Sequence, residues 1–278
     1  MIKNLVLSGG GIKGISYLGI VKYMEEHDLL KNIENIAASS VGGIFGLLIT
    51  LGYSYEEQSK LLYGLDLKKL LNIYEIDFKT FINSFGLNSG ENLNKLIKLL
   101  IKKKLNQDDI TFKELYDKTK INLILTGTCL NKQCTKYFNY TSTPDMLISL
   151  ALKITYSVPF VFNKVYYEDD VYVDGGLLNN FPMEYFEEDI KNTLGCSLQG
   201  KAEITNLDNL DNYILSLLYV PSQSLHNKIL EKYSKNIIII NVPIENFDIE
   251  LRPEQFNSII EIGYNSIKIF LSNSIYNE

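Results

Sequence analysis

The amino-acid sequence predicts an α/β fold with a mainly parallel sheet, and two observations carry that prediction. Short apolar runs alternate with longer segments of helical spacing, which gives the order β-α-β-α at the start of the chain. The first two runs each pass through a turn of small residues directly into a helical segment. Parallel strands are joined in this way, because each needs a crossover connection that is usually a helix.

The elements of this fold can be assigned in order from the spacing of apolar residues. They are a strand at Asn4–Ser8, a helix at Lys13–His27, a strand at Asn35–Ser39, a helix at Val41–Leu51, strands at Ile121–Leu130 and Thr135–Tyr140, a helix at Pro144–Thr155, a hairpin of Val165–Tyr167 with Val171–Val173, strands at Thr193–Ser197 and Ile237–Val242, and helices at Leu207–Lys235 and Pro253–Ser272. Residues 55–120 are mostly helical and rich in Leu and Lys, with Gly86 and Gly90 marking a loop.

The 278 residues contain neither a Pro/Ser/Gly linker nor a repeat of 20 to 50 residues. We therefore expect one domain, 1–278. Its motif-bearing core covers about 4–185, a helical insertion or lid about 55–120, and C-terminal helices and a strand 200–278.

Composition excludes several classes of protein. Hydrophobic residues make up 46% of the chain and charged residues 22%, which supports a sizeable core rather than disorder. The net charge of −6 argues against a nucleic-acid partner, which requires a basic face. No signal peptide or transmembrane segment is apparent, because Gly9–Gly11 interrupt the first apolar run and later runs are too short. A cytoplasmic or other intracellular location follows, with membrane contact only peripheral.

No metal site or disulfide framework is expected. The three cysteines are an odd number, and Cys129 and Cys134 lack a second Cys/His pair that would complete a zinc site. The three adjacent acids of Glu168–Asp170 lack the alternating ligand spacing of a calcium loop.

The first motif, Gly9–Gly14 (GGGIKG), lies between a predicted strand and a helix. It satisfies G-x-G-x-x-G, the dinucleotide fingerprint, but a dinucleotide site also needs an acidic residue near the end of the second strand. That strand runs instead into Ala38-Ser39-Ser40, and Glu34 precedes it. A glycine turn before a helix can equally hold an anion or an oxyanion with its N–H groups.

The second motif, residues 38–43 (ASSVGG), is close to G-x-S-x-G, the sharp turn that exposes a nucleophilic serine. Ser40 is preferred over Ser39 because it has Gly42 two places later and the small Ala38 two places earlier. An ordinary serine cap at the start of a helix is the alternative interpretation.

The third motif is Asp174-Gly175-Gly176, which by itself is as typical of an ordinary turn. Together, in this order, the three motifs resemble the patatin-like phospholipase family, with its G-G-G-x-[KR]-G loop, G-x-S-x-G turn and downstream D-G-[GA]. Residues 156–160 (YSVPF) and 180–182 (NFP) also resemble family surroundings, so the resemblance covers roughly residues 4–185.

The resemblance implies a three-layer α/β/α sandwich, a lipid or phospholipid substrate and no cofactor. Ser40 is then the nucleophile and Asp174 its base, in a dyad that hydrolyses carboxylic esters. The expected oxyanion-binding residues are Gly9, Gly10, Gly11, Ile12, Lys13 and Gly14, and the nucleophile elbow comprises Ala38, Val41 and Gly42 around the serine. For Lys13 we expect a structural or electrostatic role rather than proton transfer.

Two positions depart from the family pattern. The family usually has Gly where Ala38 stands and commonly Ala where Val41 stands. The extra bulk beside the nucleophile raises a second hypothesis, that the chain is a weak or inactive lipid-binding protein. A dinucleotide-binding protein is the third.

The chain has two histidines, which makes a triad hard to assemble. His27 lies at the far end of the first predicted helix, about 20 Å from its start at 1.5 Å per residue. His226 lies in a polar helical stretch and is expected at the surface, although its position after Asp174 leaves a triad open.

A basic amphipathic segment between Leu93 and Lys104 suggests a peripheral membrane surface as a partner. An ordinary surface helix with its apolar face on the core is the favoured alternative.

Overall fold

The computed structural model describes residues 1–70, 85–200, 210–244 and 251–275. The described strands are β1 (Asn4–Leu7), β2 (Asn35–Ala38), β3 (Gly86–Asn88), β4 (Asn122–Cys129), β5 (Cys134–Phe138), β6 (Phe160–Phe162), β7 (Val165–Tyr167), β8 (Asp170–Asp174), β9 (Thr193–Gln199) and β10 (Ile237–Asn241). The described α-helices are α1 (Tyr17–Glu26), α2 (Val41–Thr50), α3 (Tyr55–Tyr63), α4 (Leu67–Leu70), α5 (Glu91–Leu105), α6 (Phe112–Thr119), α7 (Ile148–Thr155), α8 (Leu210–Lys232) and α9 (Pro253–Ile275).

The central sheet has the strand order β10-β9-β1-β2-β4-β8-β7, with β5 also paired to β4. The neighbours from β10 to β4 run parallel, whereas β5, β7 and β8 pair antiparallel at one side. The predicted α/β class with a mainly parallel centre is thereby confirmed.

Both faces of this sheet are covered. In β1, Leu5 and Leu7 belong to the large core cluster that also includes side chains from α1, α2 and α9. Val6 points to the other face and packs with Phe181 and Tyr233 in a second cluster. Because successive side chains of a strand alternate between faces, this division defines three layers, with the sheet between two sets of helical segments.

Several predicted elements differ in extent from those observed. The helix predicted from Pro144 begins only at Ile148, because the preceding backbone pairs with the start of α6: Phe112 N–H donates to Met146 O at 3.1 Å. The helix predicted from Lys13 opens as a 3₁₀ segment, Gly11–Ser16, before α1. Part of the predicted insertion, residues 71–84, lies outside the described residues, as do residues 207–209 of the predicted helix that became α8.

The loop predicted around Gly86 and Gly90 contains a strand instead. β3 pairs in parallel with β6, with Gly86 opposite Phe160. A side chain at Gly86 would bring its Cβ within 2.3 Å of the Phe162 carbonyl carbon. The glycine therefore permits the two backbones to pair, where the sequence suggested only a break.

Helix α5 uses its apolar face for the core. Its four buried residues are Leu93, Ile97, Leu100 and Ile101. The apolar side of this basic helix, which could have contacted a membrane, therefore packs against the core of the protein. The ordinary surface-helix interpretation is the one that agrees with the structure. Within the described ranges, no helix combines the length and apolarity needed to cross a membrane.

Helices α1 and α9 cross at glycines. A Cβ at Gly263 would lie 1.9 Å from Ser16 O, and one at Gly19 would lie 2.0 Å from Ile260 O. The C-terminal helix therefore packs directly on the helical segment that follows the first motif. The expectation of a single domain over 1–278 stays a prediction.

We expect Gly263→Ala to lower the free energy of unfolding by about 1–3 kcal/mol, the usual range for overpacking. The methyl would collide with backbone, which cannot rotate away. Gly64→Ala is the matched control, because Gly64 has helical backbone angles and its Cβ would meet nothing closer than 3.4 Å. Urea denaturation measures both. Equal stability of the two variants would contradict the close helix crossing.

Candidate active site

Two strand-to-helix turns meet at one edge of the sheet. β1 and β2 are parallel neighbours with Leu7 opposite Ala38, so their carboxyl ends lie side by side. The first turn approaches the second so closely that a Cβ at Gly9 would lie 3.0 Å from Ser40 Cβ and 2.3 Å from Asn180 Oδ1. The site thus forms at the carboxyl edge of the strands, where ligands bind in open α/β sheets.

Ser40 occupies a strained position in the second turn. Its φ of 52° and ψ of −127° are rare for a residue with a side chain. Its N–H donates to Thr155 Oγ1 at 3.0 Å. At Gly42 a Cβ would lie 2.5 Å from Leu7 O. The serine stands at the N-cap of α2, but its side chain makes no capping hydrogen bond. The ordinary cap interpretation therefore fails on geometry, and the hydroxyl is left for another use.

The two departures from the family pattern are accommodated. Ala38 is fully buried at the end of β2. Val41 directs its methyl groups at Gly14, where a Cβ would lie 2.5 Å from Val41 Cγ2. As far as the structure describes the cavity beside Ser40, Val41 is not part of its lining. The extra methyl groups of Val41 therefore occupy the space that a side chain at Gly14 would need. They do not take space from the cavity.

Some N–H groups of the glycine-rich loop donate to backbone carbonyls, whereas others belong to residues that line the cavity. Gly9 N–H donates to Asn180 O at 3.1 Å, and Lys13 N–H donates to Gly10 O at 3.3 Å. The N–H groups of Gly10 and Gly11 have no acceptor among the described residues, and both residues line the cavity. The first N–H groups of a helical segment lack partners within it. Gly11 has a φ of 57°, which favours glycine.

Asn180 fixes this loop from a distant part of the chain. Besides accepting from Gly9, it donates through Nδ2 to Gly9 O at 3.2 Å. The sequence pointed to residues 180–182 only as family-like surroundings. The reciprocal pair of hydrogen bonds gives Asn180 the physical task of holding the turn at Gly9 beside Ser40.

Asp174 lies at the end of β8 and is 4% exposed. Its N–H donates to Ser157 O at 2.8 Å, and its Oδ1 accepts from Gly176 N–H. Oδ2 is buried and has no hydrogen-bond partner among the described residues. Ser40 and Asp174 line the same cavity, so the structure brings together the two residues predicted as nucleophile and base.

Burial raises the pKa of Asp174 to about 7. The cause is desolvation of the carboxylate, which outweighs the Gly176 N–H and the polar interaction with the Ser40 side chain that favour the charged form. At sequence level only an ordinary value near 4 could be assumed. A carboxylate whose pKa lies near neutrality is a much stronger base and is still charged in a large part of the molecules at pH 7.

Lys13 is 7% exposed and lines the cavity together with the glycines. Burial lowers its pKa to about 8, so the ammonium remains mostly protonated at pH 7. Lys13, for which we expected a structural or electrostatic role, therefore places a positive charge beside the cavity.

His226 is buried, and the expectation that it lies at the surface is wrong. It is 4% exposed and lines the cavity, with Nε2 2.8 Å from Ser197 Oγ and 3.1 Å from Gln199 Nε2. The physical reason is that α8 lies against the site, where Ser222 Oγ donates to Gly176 O. A helical signal was available, since Ser222 and His226 are one turn apart and share a face. The other histidine, His27, follows α1, and its Nδ1 is hydrogen-bonded to Tyr23 O at 2.8 Å.

Burial, and to a smaller degree the charge of Lys13, lowers the pKa of His226 to about 4. The imidazole is therefore neutral at pH 7. In the part of the chain that the structure describes, no group of three or more His, Cys, Asp or Glu side chains could hold a metal ion.

With this geometry in place, comparison with known proteins identifies the class of protein. The sequence model of the patatin-like phospholipase family matches residues 5–187, and the chain belongs to that family. It is 32% identical over 279 residues to an uncharacterized protein of Acanthamoeba polyphaga mimivirus, covering 96% of this chain and 93% of the relative.

A second relative is named a probable lipid hydrolase, from Invertebrate iridescent virus 6. It is 32% identical over 182 residues, which are 66% of this chain and 62% of the relative. Among solved structures, VipD from Legionella pneumophila aligns with a TM-score of 0.69 and 20% identity, over 98% of this chain and 67% of VipD. The family and these names support lipid hydrolysis in the broad sense, and the likeness to VipD supports the fold.

We expect Asp174→Asn to stabilise the protein increasingly as pH rises. The pKa is raised in the folded state, so folding favours the neutral carboxyl, and stability is lost as pH rises through about 7. Asparagine does not titrate and escapes that loss. The stability difference between the variant and the parent should be about 2–3 kcal/mol larger at pH 8 than at pH 5, at 1.4 kcal/mol per pKa unit.

Urea denaturation of both proteins at the two pH values measures this difference, and groups that titrate alike in both cancel from it. A difference that does not change with pH would mean that Asp174 is an ordinary turn residue with an ordinary pKa.

Proposed function

We propose that this chain hydrolyses carboxylic ester bonds of lipids, as a phospholipase A-type esterase, through a Ser40–Asp174 dyad. The single observation that supports it best is that the buried carboxyl of Asp174 and the uncapped Ser40 hydroxyl line one cavity and interact with each other. Family membership supplies the lipid substrate, and the reaction needs no cofactor.

In the first step the Asp174 carboxylate accepts the proton of Ser40 as Oγ attacks the ester carbonyl carbon. The carbonyl oxygen becomes an oxyanion, which the N–H groups of Gly10 and Gly11 hold. The Lys13 ammonium adds a favourable field. Collapse of the tetrahedral intermediate breaks the ester bond, and the leaving alcohol takes the proton from Asp174. An acyl-enzyme on Ser40 remains.

In the second step a water molecule gives a proton to Asp174 and attacks the acyl carbon. The fatty acid leaves, Ser40 regains its proton and Asp174 is again charged. Losing one donor from such an oxyanion site typically lowers kcat by about 10²–10³-fold. Of the residues first assigned this role, Gly9–Gly14, we retain Gly10 and Gly11 as the two donors, because Gly9 and Lys13 N–H already have acceptors and Ile12 and Gly14 are not in the described lining of the cavity.

A triad with His226 has less support than the dyad. Nε2 of His226 is within hydrogen-bond distance of Ser197 and Gln199, and a pKa of about 4 makes the imidazole a poor base. A dinucleotide site has less support as well, because the nucleophile turn follows β2 where a ribose-binding acid belongs. The hypothesis of an inactive binding protein has less support, since Ala38 is fully buried and Val41 packs on Gly14 and is not in the described lining of the cavity.

Ser40→Ala should abolish release of fatty acid from lipids, because it removes the attacking oxygen and leaves the turn intact. Ser39→Ala is the matched control, since Ser39 is fully buried and its Oγ has no partner among the described residues. A panel of phospholipids and acylglycerols, with products identified by mass spectrometry, measures both variants and identifies the bond cleaved. Activity that survives Ser40→Ala but not Ser39→Ala would refute the assignment.

The rate constant kcat/KM should rise with pH through a midpoint near 7, because only the charged form of Asp174 can accept the serine proton. His226→Gln should leave that midpoint in place, since His226 has lost its proton at a much lower pH. A pH series on a soluble ester measures both proteins. If the midpoint disappears in the His226 variant, the base is the histidine and the mechanism is a triad.

A further inference from the structure

A set of exposed apolar side chains, which we call the aromatic rim, lies at and near a groove that shares Pro159 with the cavity. The exposed fractions are 63% for Tyr166, 55% for Phe85, 43% for Leu130, and 37% for both Leu87 and Phe160. Large contiguous apolar surfaces on soluble proteins mark sites of interaction with proteins, membranes or ligands.

Part of the rim lines a groove that adjoins the cavity. Phe85, Leu130 and Phe160 line an apolar surface groove, and Pro159 belongs to that groove as well as to the cavity that contains Ser40. Whatever covers the groove therefore lies next to the cavity that contains the proposed nucleophile. This proximity sets the rim apart from apolar residues exposed elsewhere, such as Ile239 on β10 at the opposite edge of the sheet.

The backbone holds two rim residues in an unfavourable conformation. Phe85 has a φ of 58° and Phe160 a φ of 66°, in the left-handed region that bulky residues avoid. Both positions lie at the pairing of β3 with β6, where Gly86 is opposite Phe160. Such strain persists where the surrounding structure imposes it, and it concentrates at functional sites. Phe85 is 55% exposed in this conformation.

A lysine lies between the rings. Lys164 Nζ is 4.4 Å from the centre of the Phe85 ring and 5.6 Å from that of Tyr166. Among the described residues no carboxylate pairs with it. The acids at the hairpin tip begin at Glu168, about 13 Å away along an extended strand, which exceeds the screening length of about 8 Å at physiological salt. The rim therefore combines exposed rings with a cation that forms no ion pair with the described residues.

We propose that the aromatic rim docks on a lipid bilayer that contains anionic lipids, with Lys164 at the headgroups and the rings in the interface. This inference rests on the proposed function for the choice of a lipid surface as the occupant. A tyrosine such as Tyr166, with its polar hydroxyl, favours the membrane interface, and burial of the Phe85 ring removes apolar area from water. Lysine places its charge at the headgroups while its stem stays among apolar atoms. Docking in this way brings the cavity to the bilayer that contains its substrate.

The net charge of −6 opposes binding to an anionic membrane. A protein with this charge gains no general attraction to an anionic membrane, so contact depends on a local patch. The rim supplies the apolar area and Lys164 supplies the complementary charge in the same place, beside the opening of the cavity.

The test measures binding of the Ser40→Ala protein to sedimented vesicles, so that hydrolysis cannot alter them. One set of vesicles is phosphatidylcholine and the other is phosphatidylcholine mixed equally with phosphatidylserine. The double variant Phe85→Ser, Tyr166→Ser should bind both at least about tenfold more weakly, since two rings no longer leave water. Lys164→Gln should lose about fivefold on the mixed vesicles and nothing on the neutral ones.

Ile239→Ser is the matched control, because it removes a similarly exposed apolar side chain at the other edge of the sheet and should bind like the parent. Unchanged binding by the double variant, or equal loss in the control, would overturn the proposal. With Ser40 restored, the double variant should hydrolyse a dispersed short-chain ester at the parent rate. If its preference for acyl-chain length changes instead, the groove holds the acyl chain and the docking proposal is wrong.

Binding and hydrolysis are separate readouts in this design. A protein that binds vesicles through the rim but releases no fatty acid would contradict the proposed function alone. A protein that hydrolyses esters but binds vesicles without the rim would contradict the docking proposal alone.

Discussion

Gly9 and Ser40 meet across the narrow gap between the ends of β1 and β2, and the rest of the site depends on that contact. Neighbouring strands lie about 4.8 Å apart, which leaves no room for side chains between two turns that leave the same edge. A Cβ at Gly9 would lie 3.0 Å from Ser40 Cβ, and one at Gly42 would lie 2.5 Å from Leu7 O. The positions of the loop N–H groups and of the serine hydroxyl are therefore coupled through backbone, which is stiffer than any side-chain contact.

Burial of Asp174 makes the proposed base effective and makes the fold less stable at the same time. Desolvation raises the pKa of the carboxyl to about 7, which brings its basicity into the range useful at neutral pH. The same desolvation penalises the charged form in the folded state, because the Gly176 N–H and the Ser40 side chain replace only part of the solvation lost on burial. Sites that trade stability for reactivity in this way are common in enzymes.

The sequence could predict the features that depend on local pattern. The α/β class, the central strands and the order of the three motifs all follow from short runs of residues, and β1 and β2 lie within one residue of their predicted bounds. Ser40 and Asp174 line one cavity, as the motifs led us to expect.

Features that depend on residues far apart in the chain could not be predicted. The N–H of Gly9 is occupied by Asn180, 171 positions away, so motif spacing alone could not separate it from Gly10 and Gly11. The pKa of Asp174 depends on what covers it, which a single sequence does not reveal. His226 was misplaced because polar neighbours on its helix suggested solvent, whereas one side of α8 lies against the cavity.

The neutrality of His226 completes the electrostatic arrangement of the cavity. Its ring stacks on Phe181, with the centroids 5.4 Å apart, and Ser197 lies within hydrogen-bond distance of Nε2. A charged imidazole there would place a second cation near Lys13 in a poorly solvated space, and the mutual repulsion is one reason for its low pKa. Among the described residues that line it, the cavity therefore carries one cation, Lys13, beside the glycine loop and one carboxyl, Asp174. In the proposed mechanism, negative charge that forms on the ester oxygen lies next to Lys13 and the loop, while Asp174 on β8 accepts the serine proton.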